Sequence, residues 1–289
     1  MSTLHTLSDP FNPSNYAGLQ SCANLTSLNL SLYHDSQAVP SPAQPQLESI
    51  SFGSQLSFVQ LFGCFSTEAN AESVRRLISA FGPFPIFSIC DTTRSSSNLP
   101  HLLGALPSPE QLRILVLGNE SSGVNTSIGS LPDQLKAFTS LVALTLLSDF
   151  TSLTPSLYSS LHVLPIEILK FETTSRVALS RLFALVSGPT KHDTLRIILL
   201  EQIKGKVGTR IEDAGEPYYN AETEEWELYS DWILPLWTED FSEEGLVEFI
   251  EVAKKGGITV KGSTVDAIGI MAKRGVEWDL LEMFVEERE

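Results

Sequence analysis

LVALTL, residues 141–146, places apolar residues first, fourth and sixth, and LRILVL, residues 112–117, has the same form twenty-nine residues earlier. In an extended strand successive side chains alternate between faces, so Leu144 and Leu146 belong to one face and Ala143 and Thr145 to the other. The form recurs at LTSLNL (25–30), LESISF (47–52), FPIFSI (84–89), IEILKF (166–171) and LRIILL (195–200). Successive starts lie 22, 37, 28, 29, 25 and 29 residues apart. Regular spacing on this scale is the mark of a stacked repeat.

The intervening segments agree with that reading. VRRLISAF (74–81), LPHLLGAL (99–106), LPDQLKAF (131–138) and SRLFALVSG (180–188) all carry apolar residues at helical spacing. In LPDQLKAF, Leu131, Leu135 and Phe138 share one helical face, and Pro132 suits a first turn. A short strand followed by a short amphipathic helix cannot bury a core alone. Stacked, such units form a parallel sheet on one side and a helical layer on the other. The expected fold is therefore an α/β solenoid of about seven repeats. The competing arrangement is an ordinary α/β domain built from unrelated βα units.

Over residues 25–200 the chain resembles the leucine-rich-repeat family in its strand motif, L-x-x-L-x-L. The family's Asn or Cys, three residues past the last apolar position, is replaced by Tyr33, Gln55, Thr92, Glu120, Asp149, Thr174 and Ile203. Thr92, Asp149 and Thr174 retain a side chain that can bond a turn backbone. With their helical C-terminal extension, the irregular repeats are similar to the repeat region of fungal F-box–leucine-rich-repeat proteins. That resemblance implies the substrate-receptor half of a ubiquitin-ligase adaptor. The 24 residues ahead of LTSLNL are too few for the helical F-box itself.

The expected organisation is a short lead over 1–24, an irregular solenoid over 25–210, and an α-rich cap over 211–289. In the lead, Leu19 and Cys22 would face the first strand from a short helix. PSPAQPQ (40–46) reads as a loop, and the 37-residue interval after the second repeat as an insertion. From Glu212 to Glu251 there are fourteen Asp and Glu residues and no Lys or Arg, together with Trp226, Trp232, Trp237, Tyr218, Tyr219 and Tyr229. Aromatics can bury surface, so this segment is expected to fold over the last repeat. Its alternative role is an acidic docking strip for a basic partner. Ser242 is placed to cap a helix carrying Leu246, Phe249, Ile250 and Ala253 and ending at Lys254, Lys255 and Gly256. GITVKG (257–262) follows as a strand, then a helix with Ser263 and Asp266 as its capping box, and a final helix over Glu277–Glu289; this unit either continues the solenoid as one more βα turn or stands as a small separate unit.

A net charge of −16 argues against nucleic acid or an anionic membrane as the main partner. No apolar run approaches the roughly 20 residues of a membrane span, and the start lacks the features of a signal peptide. Cys22, Cys64 and Cys90 form no paired motif and are expected to be reduced thiols, placing the chain in the cytoplasm or nucleus. No metal or cofactor is expected. The five histidines make no HExxH motif, and no phosphate-binding glycine signature occurs; GKVGTR (205–210) reads as a turn. His34-Asp35 and His192-Asp193 read as solvated loop pairs. The enzymatic alternative is a hydrolase or transferase with Cys90 as nucleophile and His101 or His162 as its base.

What remains is a surface for a protein partner. The third motif positions are Ser27, Ser49, Ile86, Ile114, Ala143, Ile168 and Ile197; the fifth are Asn29, Ser51, Ser88, Val116, Thr145, Lys170 and Leu199. These face away from the core, on the expected concave side. Ile86, Ser88, Ile114, Val116, Thr145, Ile168, Lys170, Ile197 and Leu199 are the expected partner-binding residues; the alternative is that residues 212–240 fold back and cover this lane, and the partner and oligomeric state stay open.

Overall fold

The computed structural model describes residues 2–8, 25–32, 56–63, 65, 68–92, 98–119, 131–148, 155–172, 177–189, 191–201, 217–220, 225–228 and 242–265. Nine parallel strands stand side by side in chain order in one sheet. They are β1 (Ser2–Ser8), β2 (Leu25–Leu32), β3 (Phe58–Gly63), β4 (Ile86–Asp91), β5 (Ile114–Asn119), β6 (Ala143–Ser148), β7 (Ile168–Glu172), β8 (Ile197–Glu201) and β11 (Thr259–Lys261). A separate antiparallel pair joins β9 (Pro217–Asn220) to β10 (Glu225–Leu228). The helices are α1 (Glu68–Ala80), α2 (Leu99–Leu103), α3 (Leu131–Leu135), α4 (Pro155–Leu161), α5 (Leu179–Val186) and α6 (Glu243–Lys255). This is an α/β fold with an open parallel sheet, and its sequential strand order is compatible with a solenoid.

Period-two alternation explains the layering. From Leu28 and Leu30 in β2 to Ile198 and Leu200 in β8, alternate strand residues are wholly buried. Leu77 and Ile78 of α1, Leu131 and Leu135 of α3, and Leu182 and Leu185 of α5 join the same core cluster. The core thus lies between one sheet face and the helices, with Leu115 and Leu144 fully buried and Val116 and Thr145 on the opposite face.

The repeat is also written in the backbone. The carbonyl of Pro85 accepts from the N–H groups of Arg113 (2.8 Å) and Ile114 (3.0 Å). Arg113 does the same for Val142 and Ala143, Val142 for Glu167 and Ile168, and Glu167 for Arg196 and Ile197. One carbonyl at a fixed position therefore starts each next strand and holds adjacent units in register, so each unit depends on its neighbour.

Several expectations are corrected. β2 pairs directly with β3, so the second repeat is LSFVQL (56–61), with Leu56, Val59 and Leu61 buried. LESISF (47–52) lies outside the described residues, as do Ser49 and Ser51. With LSFVQL as the second unit, the 37-residue interval disappears, because Leu56 and Phe84 are separated by an ordinary repeat length. The sheet also passes both bounds of the expected 25–210 solenoid: β1 falls in the expected lead and β11 in the expected cap. Leu19, Cys22, Cys64, segments 40–46 and 205–210, the His34-Asp35 pair, Tyr229, Trp232, Trp237 and the last helix over 277–289 lie outside the described residues.

At the C-terminal side, α6 follows its expected course. The Ser242 hydroxyl accepts from Gly245 N–H (3.1 Å), Leu246, Phe249 and Ala253 are buried, and Phe249 meets Phe183 edge-on at 5.5 Å. β11 then joins β8 in parallel, continuing the strand and helix alternation. Ser263 stands at the start of the next helical turn, and its N–H donates to the Glu201 carboxylate (2.9 Å). Asp266 lies outside the described residues.

The turn polar residues differ from the family pattern as well. Of the seven substituted ladder positions only Thr92 is described, and it contributes its backbone N–H to Gly63 O (2.8 Å). The neighbouring Asp91 is wholly buried and accepts from Phe65 N–H (3.3 Å), while the Asn98 side-chain amide donates to Phe65 O. Two side chains of one unit thereby satisfy both backbone groups of a residue in the preceding unit.

His192 is buried rather than solvated. Its Nδ1 accepts from the N–H groups of Thr194 (3.3 Å) and Leu195 (3.1 Å), so the proton sits on Nε2, which donates to Leu161 O (2.9 Å). His162 stacks on it with ring centroids 6.2 Å apart, and Asp193 is adjacent and exposed. Burial, then the neighbouring His162, pulls the His192 imidazole below its ordinary range, against the carbonyl bond and Asp193. The unfolded chain therefore takes up a proton near pH 6.5 while the folded chain still refuses it. Stability should be complete above about pH 6.5 and fall as the pH drops below it. His192→Asn should cost about 1–3 kcal/mol at pH 7.5 and remove much of the loss between pH 7.5 and 5.5, as read from urea midpoints. An unchanged pH slope would show that another group carries the acid sensitivity.

Candidate functional site

The sheet face turned away from the core carries three lanes running across the strands. The first joins Phe58, Ile86, Ile114, Ala143, Ile168, Ile197 and Thr259 in continuous register. The second joins Gln60, Ser88, Val116, Thr145, Lys170, Leu199 and Lys261. A third, at the strand ends, holds Phe62, Cys90, Gly118, Leu147, Glu172 and Glu201. The strand pairings thus bring all nine expected partner-binding residues onto one face.

Ile86, Ile114, Val116, Thr145, Ile168, Lys170, Ile197 and Leu199 are all half-buried, whereas Ser88 is buried. Partial burial follows from strand pairing, which flanks each side chain with neighbours about 4.8 Å away on adjacent strands. The face changes character along the sheet. At its N-terminal end Asn29 donates to the Gln60 side chain (3.1 Å), a polar pairing in the second lane. From β4 to β8 the first lane is wholly apolar. In β7, Lys170 reaches Glu172 on the same face at 2.6 Å, so its ammonium is neutralised without leaving the sheet.

Phe58 and Gln60 take the places expected for Ser49 and Ser51, so the apolar lane starts one strand earlier. The signal was present in LSFVQL, with valine at the fourth position. The third lane was missed because the six-residue motif stops before the position that holds Cys90, Glu172 and Glu201.

The thiol–imidazole alternative is not assembled. Cys90 is half-buried on the lane face, beside Phe62 and Gly118; a Cβ on Gly118 would lie 2.7 Å from the Cys90 sulfur. His101 belongs to α2, which buries Leu99, Leu102 and Leu103 in the core on the other side of the sheet. His162 stacks on the buried His192 next to α4. Neither imidazole shares the face of Cys90. Among the described residues there is no group of three His, Cys, Asp or Glu suited to holding a metal, and no helix is long and apolar enough to cross a membrane.

No protein-family model matches this chain, and neither a curated protein nor a solved structure matches it.

Proposed function

We propose that the chain is a non-catalytic, leucine-rich-repeat-like scaffold that holds a protein partner on the concave face of its sheet, the face turned away from the core. The observation that carries this reading is the first lane: Ile86, Ile114, Ala143, Ile168 and Ile197 stand side by side across five strands and keep part of their surface in water. A contiguous apolar strip left accessible on a soluble-type surface is what an interaction site offers. The opposite faces occupied by Cys90 and His101 weigh against nucleophilic catalysis. In this reading the resemblance to F-box–leucine-rich-repeat proteins gives the scaffold its specific form, the substrate-receptor part of a ubiquitin-ligase adaptor in the cytoplasm or nucleus.

A photo-crosslinking residue at Thr145 should capture a partner that the same residue at Arg181, exposed on α5, does not. Ile168→Asp with Leu199→Asp should abolish that capture, while each change costs less than about 1 kcal/mol because a half-exposed strand site senses mainly β-propensity. Undiminished capture by the folded double variant would remove this face as the site.

A further inference from the structure

Resting on the reading of this face as a partner site, we infer that the partner presents an amphipathic α-helix, laid across the strands along the apolar lane. Three features of the face select a helix over an extended segment.

The first is pitch. Neighbouring strands are about 4.8 Å apart, so the five lane residues from Ile86 to Ile197 recur at that interval over about 19 Å. A helix brings an apolar side chain to one face about every 5.4 Å, through i, i+3/i+4 and i+7 positions. Across three neighbouring strands it drifts by only about a quarter of a repeat, reaching about half a repeat over the whole lane. An extended chain returns a side chain to the same face only every ~6.8 Å and loses step within two strands.

The second is width. Val116, Thr145, Lys170 and Leu199 form a second row alongside the isoleucines, with the Lys170 ammonium drawn aside to Glu172, so the accessible strip is two rows wide. Paired i, i+4 and i+3, i+7 rows give a helix the same width.

The third is charge. At the strand starts the lane is bordered by exposed Arg113 and Arg196, with Glu167 between them and 3.6 Å from Arg196. At the strand ends it is bordered by Glu172, which holds the Lys170 ammonium at 2.6 Å, and by its register neighbour Glu201 on β8, so the two carboxylates share one lysine. Like charges directly opposite each other disfavour the sheet. A helix with acidic residues along the flank facing the strand starts, and basic residues along the flank facing the strand ends, complements both borders.

Selection of phage-displayed random peptides of about 16 residues, long enough for four helical turns, tests this. The full chain serves as bait, and binders are retained only if the Ile168→Asp, Leu199→Asp variant loses them. The expected binders carry apolar residues at i, i+3/i+4, i+7 and i+11 with opposite charges on the two flanks, and become helical when bound. The double substitution should weaken them by at least about 30-fold, as for a hot spot. Arg113→Glu with Arg196→Glu should shift preference toward peptides whose flank charges are exchanged. Face-dependent binders with strictly alternating apolar residues, or with no helical pattern, would overturn the helix while leaving the partner site in place. Selection that yields no face-dependent binder would overturn the partner site itself.

Discussion

Leu144→Ala will lower the unfolding free energy by about 2–5 kcal/mol, and Leu115→Ala by a similar amount, because each leaves a cavity in a fully packed layer. The two side chains are register partners on β5 and β6 and sit in one core cluster with the helices. Their double substitution should therefore depart from the sum of the singles, as contacting residues do. The neighbour Thr145 lies on the opposite face, half-buried, and Thr145→Ala should cost no more than the β-propensity difference, about 1 kcal/mol. Urea unfolding of the four variants measures the contrast. Equal costs at 144 and 145 would mean that the face assignment is wrong, and with it the lane on the other side.

The parts of the fold legible in the sequence are those where the period is local. From FPIFSI onward β4 to β8 stand where the motifs place them, and the apolar-spaced segments after FPIFSI, LRILVL and IEILKF form α2, α3 and α5. β3 was hidden by a decoy: LESISF and LSFVQL both satisfy a short apolar template, and only pairing with β2 chooses between them. β1, Ser2–Ser8, carries two leucines among polar residues and gains its strand from pairing with β2. α4 is serine-rich, and its helix is fixed by burial of Leu157, Tyr158 and Leu161 rather than by propensity.

The polar ties are less legible still, because their partners lie about a repeat away. Nothing near His192 in sequence indicates that the Leu161 carbonyl will bury it. Asp91 stands one residue before the family's ladder position, and its partner is the Phe65 amide. The candidate face was largely legible, since period-two alternation places its residues. Its flanking charges were not, because Glu172 and Glu201 become neighbours only through strand register.

Gly262→Ala will detach β11 from β8. Gly262 has φ +117°, where a side chain is rarely tolerated, and a Cβ built there lies 2.4 Å from Leu200 O and 2.9 Å from Leu200 N. Those atoms are backbone of the neighbouring strand and cannot swing aside. Backbone strain of this kind alone costs about 1–3 kcal/mol, and the collision adds to it. Gly257 provides the control: its φ is +78°, but a Cβ there meets nothing within 4 Å. Gly257→Ala should therefore cost only the left-handed penalty, about 1–2 kcal/mol. Because β11 stands at one end of the stack, it can open without the rest, so hydrogen exchange is the more sensitive readout. In Gly262→Ala the Thr259 N–H, bonded to Arg196 O, and the Ser263 N–H, bonded to Glu201, should lose protection together. Amides of β5 and β6 should keep theirs. Equal loss of protection in Gly257→Ala would refute the close approach of Gly262 to Leu200 as the clasp that seats the ninth strand.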